Sequence, residues 1–186
     1  MTLEEARKEI DAVDTQMKPL FLKRMECARK VAEVKAETGG DVFVLERELA
    51  IIEKRAGDVD PEVYDEYVMF LRHLMSVSRR YQYGKLLGMQ DMVVDGAAAA
   101  AGINENAPHT QVEITFDCQA EASDLNLFVN MAKLNQVCIV RMNVETRDGL
   151  QTVSMVLGGN LKESNMRRLL CQIGKEAEHF QIASVR

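Results

Sequence analysis

LEEARKEIDAVDTQMKPLFLKRMECARKVAEVKAET occupies residues 3–38, and its periodicity decides the fold of the first half of the chain. Apolar side chains recur at Leu3, Ala6, Ile10, Val13, Met17 and Leu20, then at Cys27, Val31 and Val34, with Arg24 standing on the same seam. Steps that alternate three and four mark a helix burying one face against other helices. A guanidinium on such a seam cannot shed its charge, so it needs an anionic partner there. Lys35 lies eleven residues on, about 20° round the helix and about 16 Å along it. Two cations thus face the interior, and they meet either acidic side chains of neighbouring helices or an anionic ligand.

Thr2 and Glu5 make a capping box at the start of this helix, and Gly39-Gly40 supplies the left-handed residue that ends it. A helix of this length spans about 54 Å, too long for a monomeric bundle of this size, so a second copy of the chain is expected along it. Pro19 removes one backbone hydrogen bond and is expected to kink it near Thr15. A second helix is predicted from Val44 to Arg55, stopping at Gly57. Asp60-Pro61-Glu62 opens a third, which carries Tyr67, Phe70, Leu71, Leu74 and Met75 on one side and is expected to reach about Leu87.

The organisation then changes. Residues 1–90 read as a helical domain and residues 91–111 as a linker, in which Ala97 to Ala101 lie between Gly96 and Gly102 and either extend as helix or stay mobile. Residues 112–186 form the second domain. Val112, Ile114, Phe116 and Cys118 alternate with Glu113, Thr115 and Asp117, which predicts a half-buried strand. Ser123 or Asp124 opens a helix to about Leu134, and Val137–Glu145 and Leu150–Leu157 are strands joined by the tight turn Arg147-Asp148-Gly149. Glu163-Ser164 opens another helix, and Ile182–Val185 is a last short strand. The order β-α-β-β-α-β is the ferredoxin-like α+β pattern, an antiparallel sheet with two helices on one face.

Composition narrows the function. A hydrophobic content of 47% with 28% charged residues describes an ordinary globular chain of 186 residues. The net charge of −6 and the lack of a basic patch argue against nucleic acid as a partner. No apolar run is long enough to span a bilayer, and Glu4 and Glu5 rule out a signal peptide at the start, so a cytoplasmic, membrane-free protein is expected. Cys27, Cys118, Cys138 and Cys171 are scattered without a CxxC pair, which reads as reduced core cysteines and no metal site.

Further polar groups fall where a buried site can form. Arg47 and Glu48 sit together on the second helix; Ser78 and Gln82 stack at i, i+4 on the third. Arg7 is about 100° and 25 Å from Arg24 on the same helix, so it can join Arg24 only from a second, antiparallel chain. Each has a bland alternative: an exposed pair for Arg47 and Glu48, solvated side chains for Ser78, Gln82 and Arg7, a snorkelling lysine at 35.

Taken together, Arg7, Arg24, Lys35, Arg47-Glu48 and Ser78-Arg79-x-x-Gln82 resemble the pattern of the all-helical chorismate mutases, over roughly residues 3–88. The local text ARKEIDAVD (6–14), KRMECARKVAEVK (23–35) and SRRYQ (78–82) is similar as well. The resemblance implies an interlocked homodimer in which each site takes one arginine from the other chain. It also implies the rearrangement of chorismate, a dicarboxylate, to prephenate in aromatic amino-acid biosynthesis, with no cofactor. Lys35, Gln82 and Glu48 would be the catalytic residues, and Arg7, Arg24, Arg47, Ser78 and the backbone N–H of Val44 would bind substrate. Val44 departs from the family, where aspartate is common at that position. The second domain resembles an ACT domain, a regulatory module of amino-acid biosynthesis. An effector such as phenylalanine or tyrosine would then sit at Ser123, Asp124 and Leu125, although the module's usual glycine is missing there and a purely dimerising role is the alternative. Two other functions share the scaffold: an isochorismate pyruvate-lyase, and a catalytically silent regulatory subunit of an aromatic-pathway enzyme. On this reading a chain cut near Gly96 should lose any effector response, while the helical half keeps its activity as a dimer.

Overall fold

The structure, a computed structural model, describes residues 1–119 and 124–186, with Asp124 described through its backbone alone. Helix α1 runs Leu3–Thr38 without interruption at Pro19. At its start the Thr2 hydroxyl accepts the Glu5 N–H at 3.2 Å, and the Glu5 carboxylate accepts the Thr2 N–H at 2.6 Å. At its end Gly39 takes φ 75° and donates its N–H to the Lys35 carbonyl. Helix α2 is Leu45–Ala56, capped by extended Val44. A single 3₁₀ turn at Pro61–Val63 leads into α3, Tyr64–Tyr83.

The seam of α1 is not buried within one chain. Its small residues Ala28 and Ala32 pack inward, whereas Leu3, Ile10, Val13, Met17 and Leu20 are exposed, Leu3 and Leu20 each by 68%. The first 23 residues lie open apart from half-buried Ala6. An apolar groove of about 630 Å³, with walls that include Met17, Phe21, Phe70 and Leu74, continues this surface between α1 and α3.

Helix α3 stops short of the expected Leu87. The buried Gln90 side chain donates to the Tyr83 carbonyl at 2.7 Å, and tight bonds from Lys85 and Leu86 turn the chain there. Helix α4 follows at Leu87–Ala100. Its alanine run extends as helix, as the best helix former allows, and it ends in a Schellman motif: Gly102 at φ 66°, Gly102 N–H to Ala99 O, Ile103 N–H to Ala98 O. Part of the stretch read as linker is thus packed structure, with Val94 and Ala98 fully buried in the core of the second half.

That half has β1 (Gln111–Gln119), α5 (Asp124–Leu134), β2 (Cys138–Arg147), β3 (Leu150–Gly158), α6 (Ser164–Glu176) and β4 (Glu178–Val185). Every strand pairing is antiparallel, in the order β2-β3-β1-β4. Asp148 (φ 50°) and Gly149 (φ 80°) form the two-residue turn of the β2–β3 hairpin, both in the left-handed region that its twist requires. Alternate β1 residues Val112, Ile114, Phe116 and Cys118 are buried, and Phe116 meets Phe128 of α5 with ring centroids 4.7 Å apart. Strand β4 begins earlier than Ile182 because Glu178 and Gln181 already pair with β1. Cys118 and Cys171 are buried, but Cys27 and Cys138 are exposed, against the expectation of core positions for all four.

The two halves are bonded through α3 and α6. Tyr83, Val42, Leu86 and Cys171 form a small apolar cluster between them, and burial pushes the Cys171 thiol up to about 12. The Gln172 side chain donates to the Ser76 carbonyl at 3.3 Å, and Lys175 pairs with Asp41 at 2.7 Å.

Gly174 allows α6 to approach its neighbours: a Cβ there would lie 2.8 Å from both Phe180 and Val93 side-chain atoms. Gly174→Ala should therefore destabilise the protein by about 1–3 kcal/mol through overpacking. Chemical denaturation would measure this, and an unchanged midpoint would contradict the close packing of α4, α6 and β4.

Candidate active site

A cavity of about 280 Å³ opens between α1, α2 and α3, a size at the small end of ligand pockets. Arg24 and Lys35 reach it from α1, Val44, Arg47 and Glu48 from the start of α2, and Ser78 and Gln82 from α3. Each expected site residue of the helical half except Arg7 therefore lines one cavity. Arg7 is exposed near the far end of α1 and does not line this cavity.

The long helix sets the spacing of its two cations. Arg24 Nη1 donates to the Ser78 hydroxyl and, at 3.3 Å, to the Leu74 carbonyl, which fixes the guanidinium against α3. Lys35 Nζ donates to the carbonyls of Asp41 and Val42, the latter at 3.3 Å, so the turn after α1 holds the ammonium at the cavity edge. An ammonium has three donors, and one remains for a ligand. Burial lowers the Arg24 and Lys35 pKa values; for Lys35 the neighbouring Arg47 lowers it further while Asp41 opposes. Gln82 donates to the Ser78 carbonyl at 3.4 Å, and its buried Oε1 has no partner among the described residues.

Glu48 is not paired with Arg47, its sequence neighbour. Its Oε1 accepts from Arg79 Nη1, and Arg79 is buried, with only 4% of its side chain exposed. Arg79, part of the Ser78-Arg79-x-x-Gln82 pattern but without an expected role, also lines the cavity. Its signal was there: Arg79 stands at i+4 from Met75 and i−3 from Gln82, on the buried stripe of α3. Burial disfavours the Arg79 charge, but Glu176 and Glu48 outweigh it and hold the guanidinium more firmly protonated than usual.

Charge accounting defines what the cavity accepts. Arg79 is neutralised by carboxylates, but Arg24, Lys35 and Arg47 have no ion-pair partner among the described residues. Glu48 is the cavity's carboxylate. The wall is thus built for an anion with more than one negative group and a hydrogen-bond donor for Glu48. Among the described residues no group of three His, Cys, Asp or Glu gathers as a metal site, and no helix is long and apolar enough to cross a membrane. Of the expected effector residues, Ser123 and the Asp124 side chain lie outside the described residues, and Leu125 packs partly buried against the sheet core.

Residues 6–83 match the family model of chorismate mutase type II, a span that holds every cavity residue named above and ends with α3. A 53-residue stretch is also 38% identical to the T-protein of Haemophilus influenzae, covering 28% of this chain and 14% of that protein's length.

Because burial and the neighbouring Arg47 shift Lys35 downward, its ammonium gives up its proton at a lower pH than an ordinary lysine does. Binding of a dicarboxylate should be flat between about pH 6 and pH 8 and should weaken on the alkaline side, ahead of the ordinary lysine value of about 10.5. Titration calorimetry across pH would trace that limb. Lys35→Arg should remove it, and an unchanged limb in this variant would assign it to another group.

Proposed function

We propose that the protein is a chorismate mutase that converts chorismate to prephenate in aromatic amino-acid biosynthesis, acting as a homodimer. The observation that carries this reading is the cavity itself, with three cations that have no ion-pair partner among the described residues, one carboxylate and one amide on its walls. The family match over residues 6–83 supports the same reaction.

The reaction is pericyclic: one carbon–carbon bond forms as the ether carbon–oxygen bond breaks, with no covalent intermediate and no cofactor. Arg24 and the second copy's Arg7 each clamp a carboxylate through a planar fork, holding the chain of the substrate over its ring. Charge grows on the ether oxygen as the bond breaks. Lys35 and the free amide N–H of Gln82 donate to that oxygen, stabilising the transition state more than the ground state. Glu48, whose Oε1 is held by Arg79, accepts the ring hydroxyl through its other oxygen. Ser78 steadies Arg24, and Arg47 adds positive potential at the cavity edge.

Support for the dimer comes from α1. Its exposed apolar side chains adjoin an apolar groove, the kind of surface that marks an interaction face. A second α1 laid antiparallel along the first would cover this face and bring Arg7 toward the other chain's Arg24. For the second half, the β-α-β-β-α-β order with strands β2-β3-β1-β4 supports a ferredoxin-like, ACT-type module that serves regulation by phenylalanine or tyrosine.

Lys35→Ala should lower kcat about 10²-fold or more with a smaller change in KM, since its contact strengthens at the transition state. Steady-state kinetics with near-normal kcat in that variant would exclude Lys35 from the chemistry. Arg7→Ala and Arg24→Ala should each be nearly inactive alone. Mixing the two should recover about a quarter of the sites, because one site of each hybrid dimer keeps both arginines. Mixtures that regain nothing after subunit exchange would place Arg7 outside the site.

A further inference from the structure

Arg79 is shared between carboxylates from opposite halves of the chain. On one side Nε and Nη2 donate to Glu176 Oε1 and Oε2 at 2.7 Å each, a bidentate pair at the last turn of α6. On the other side Nη1 donates to Glu48 in the cavity wall. The Phe43 ring lies against the guanidinium, 4.9 Å from centroid to Cζ. Glu176 is only 3% exposed, and the Gln172 side chain donates to its Oε1 at 3.1 Å while also holding the Ser76 carbonyl of α3.

This geometry leaves Arg79 no freedom. A bidentate fork fixes the plane of the guanidinium as well as its position. With two of its nitrogens committed to Glu176, the third can point in only one direction, and Glu48 stands there. Remove the Glu176 charge, and Arg79 can turn its fork toward Glu48, drawing that carboxylate away from the cavity.

We propose that Glu176 is a positioning residue of the active site: through Arg79 it sets the placement of Glu48, so that the C-terminal half is a working part of the site. In this it departs from the expectation that a chain cut near Gly96 keeps its activity. Such a cut removes Glu176 and leaves Arg79 with Glu48 as its carboxylate partner. The kinetic part of the proposal rests on the chorismate reading; its structural part does not.

The test uses the full-length protein with Glu176→Gln, Glu176→Asp, Glu48→Gln and the double variant Glu176→Gln/Glu48→Gln. Glu176→Gln should lower kcat about tenfold or more, as a displaced catalytic group does, with KM within about twofold. Glu176→Asp, which keeps the charge at shorter reach, should fall between it and the wild type. In the Glu48→Gln background, Glu176→Gln should cost less than about twofold, since its effect passes through Glu48. An equal loss in both backgrounds would overturn the proposal, as would wild-type kcat in Glu176→Gln. If Glu176→Gln fails to fold by circular dichroism, Glu176→Asp alone decides, and wild-type kcat in it overturns the proposal. Crystal structures of the wild type and the best-folded Glu176 variant give a readout independent of substrate. Glu48 displaced in the variant supports the proposal, and Glu48 unmoved overturns it. Folded wild type that leaves chorismate intact removes the substrate reading only, and the two crystal structures then decide the role of Glu176.

Discussion

One guanidinium ties the molecule together. Arg79 is buried between Glu48 of α2 and Glu176 of α6, and each partner depends on the other. A buried charge of this kind is retained only when it is fully paired, and removing one partner from such a pair costs about 3–5 kcal/mol. Replacing the whole set by apolar side chains is often neutral, so the pair is poorly explained as a source of stability alone. Its position explains it better. It joins the cavity wall to the last turn of α6, and the neighbouring contacts of Tyr83, Cys171 and Gln172 lie in the same seam between the halves.

The neutralisation of Arg79 gives the other cations their meaning. Arg24, Lys35 and Arg47 stand at the cavity without carboxylate partners among the described residues, and burial and the neighbouring Arg47 have already lowered the Lys35 pKa. Sites of this type are poised for a ligand that supplies the missing negative charge. The long first helix contributes twice: Arg24 and Lys35 on its inner half, and an uncovered apolar stripe on its outer half. Both features call for a partner, the first an anion and the second another helix.

Much of this was legible along the chain because it is local. The capping box at Thr2, the left-handed Gly39, the Asp148-Gly149 turn and the alternation of β1 all follow from neighbours within a few residues. The gathering of Arg24, Lys35, Glu48, Ser78 and Gln82 in one cavity was expected from the resemblance to the all-helical chorismate mutases, because spacing along each helix left every one of them a bland alternative except Arg24. What was missed depends on distant partners. Register on α3 sets Arg79 apart from its neighbour Arg80, but the partner that makes it matter, Glu176, lies 97 residues away. Helix α4 was hidden for a similar reason: its alanines carry no strong amphipathic signal, and its docking is set by Val94, Ala98 and the Asp91 and Asp95 pairs with Arg167 of α6.

The proposed chemistry meets its most direct test in the absorbance of the substrate diene. Purified full-length protein should consume chorismate with saturable loss of that absorbance and yield prephenate, while isochorismate offered in parallel should release no pyruvate. Intact chorismate in the presence of folded dimer, or pyruvate released from isochorismate at a comparable rate, would contradict the assignment.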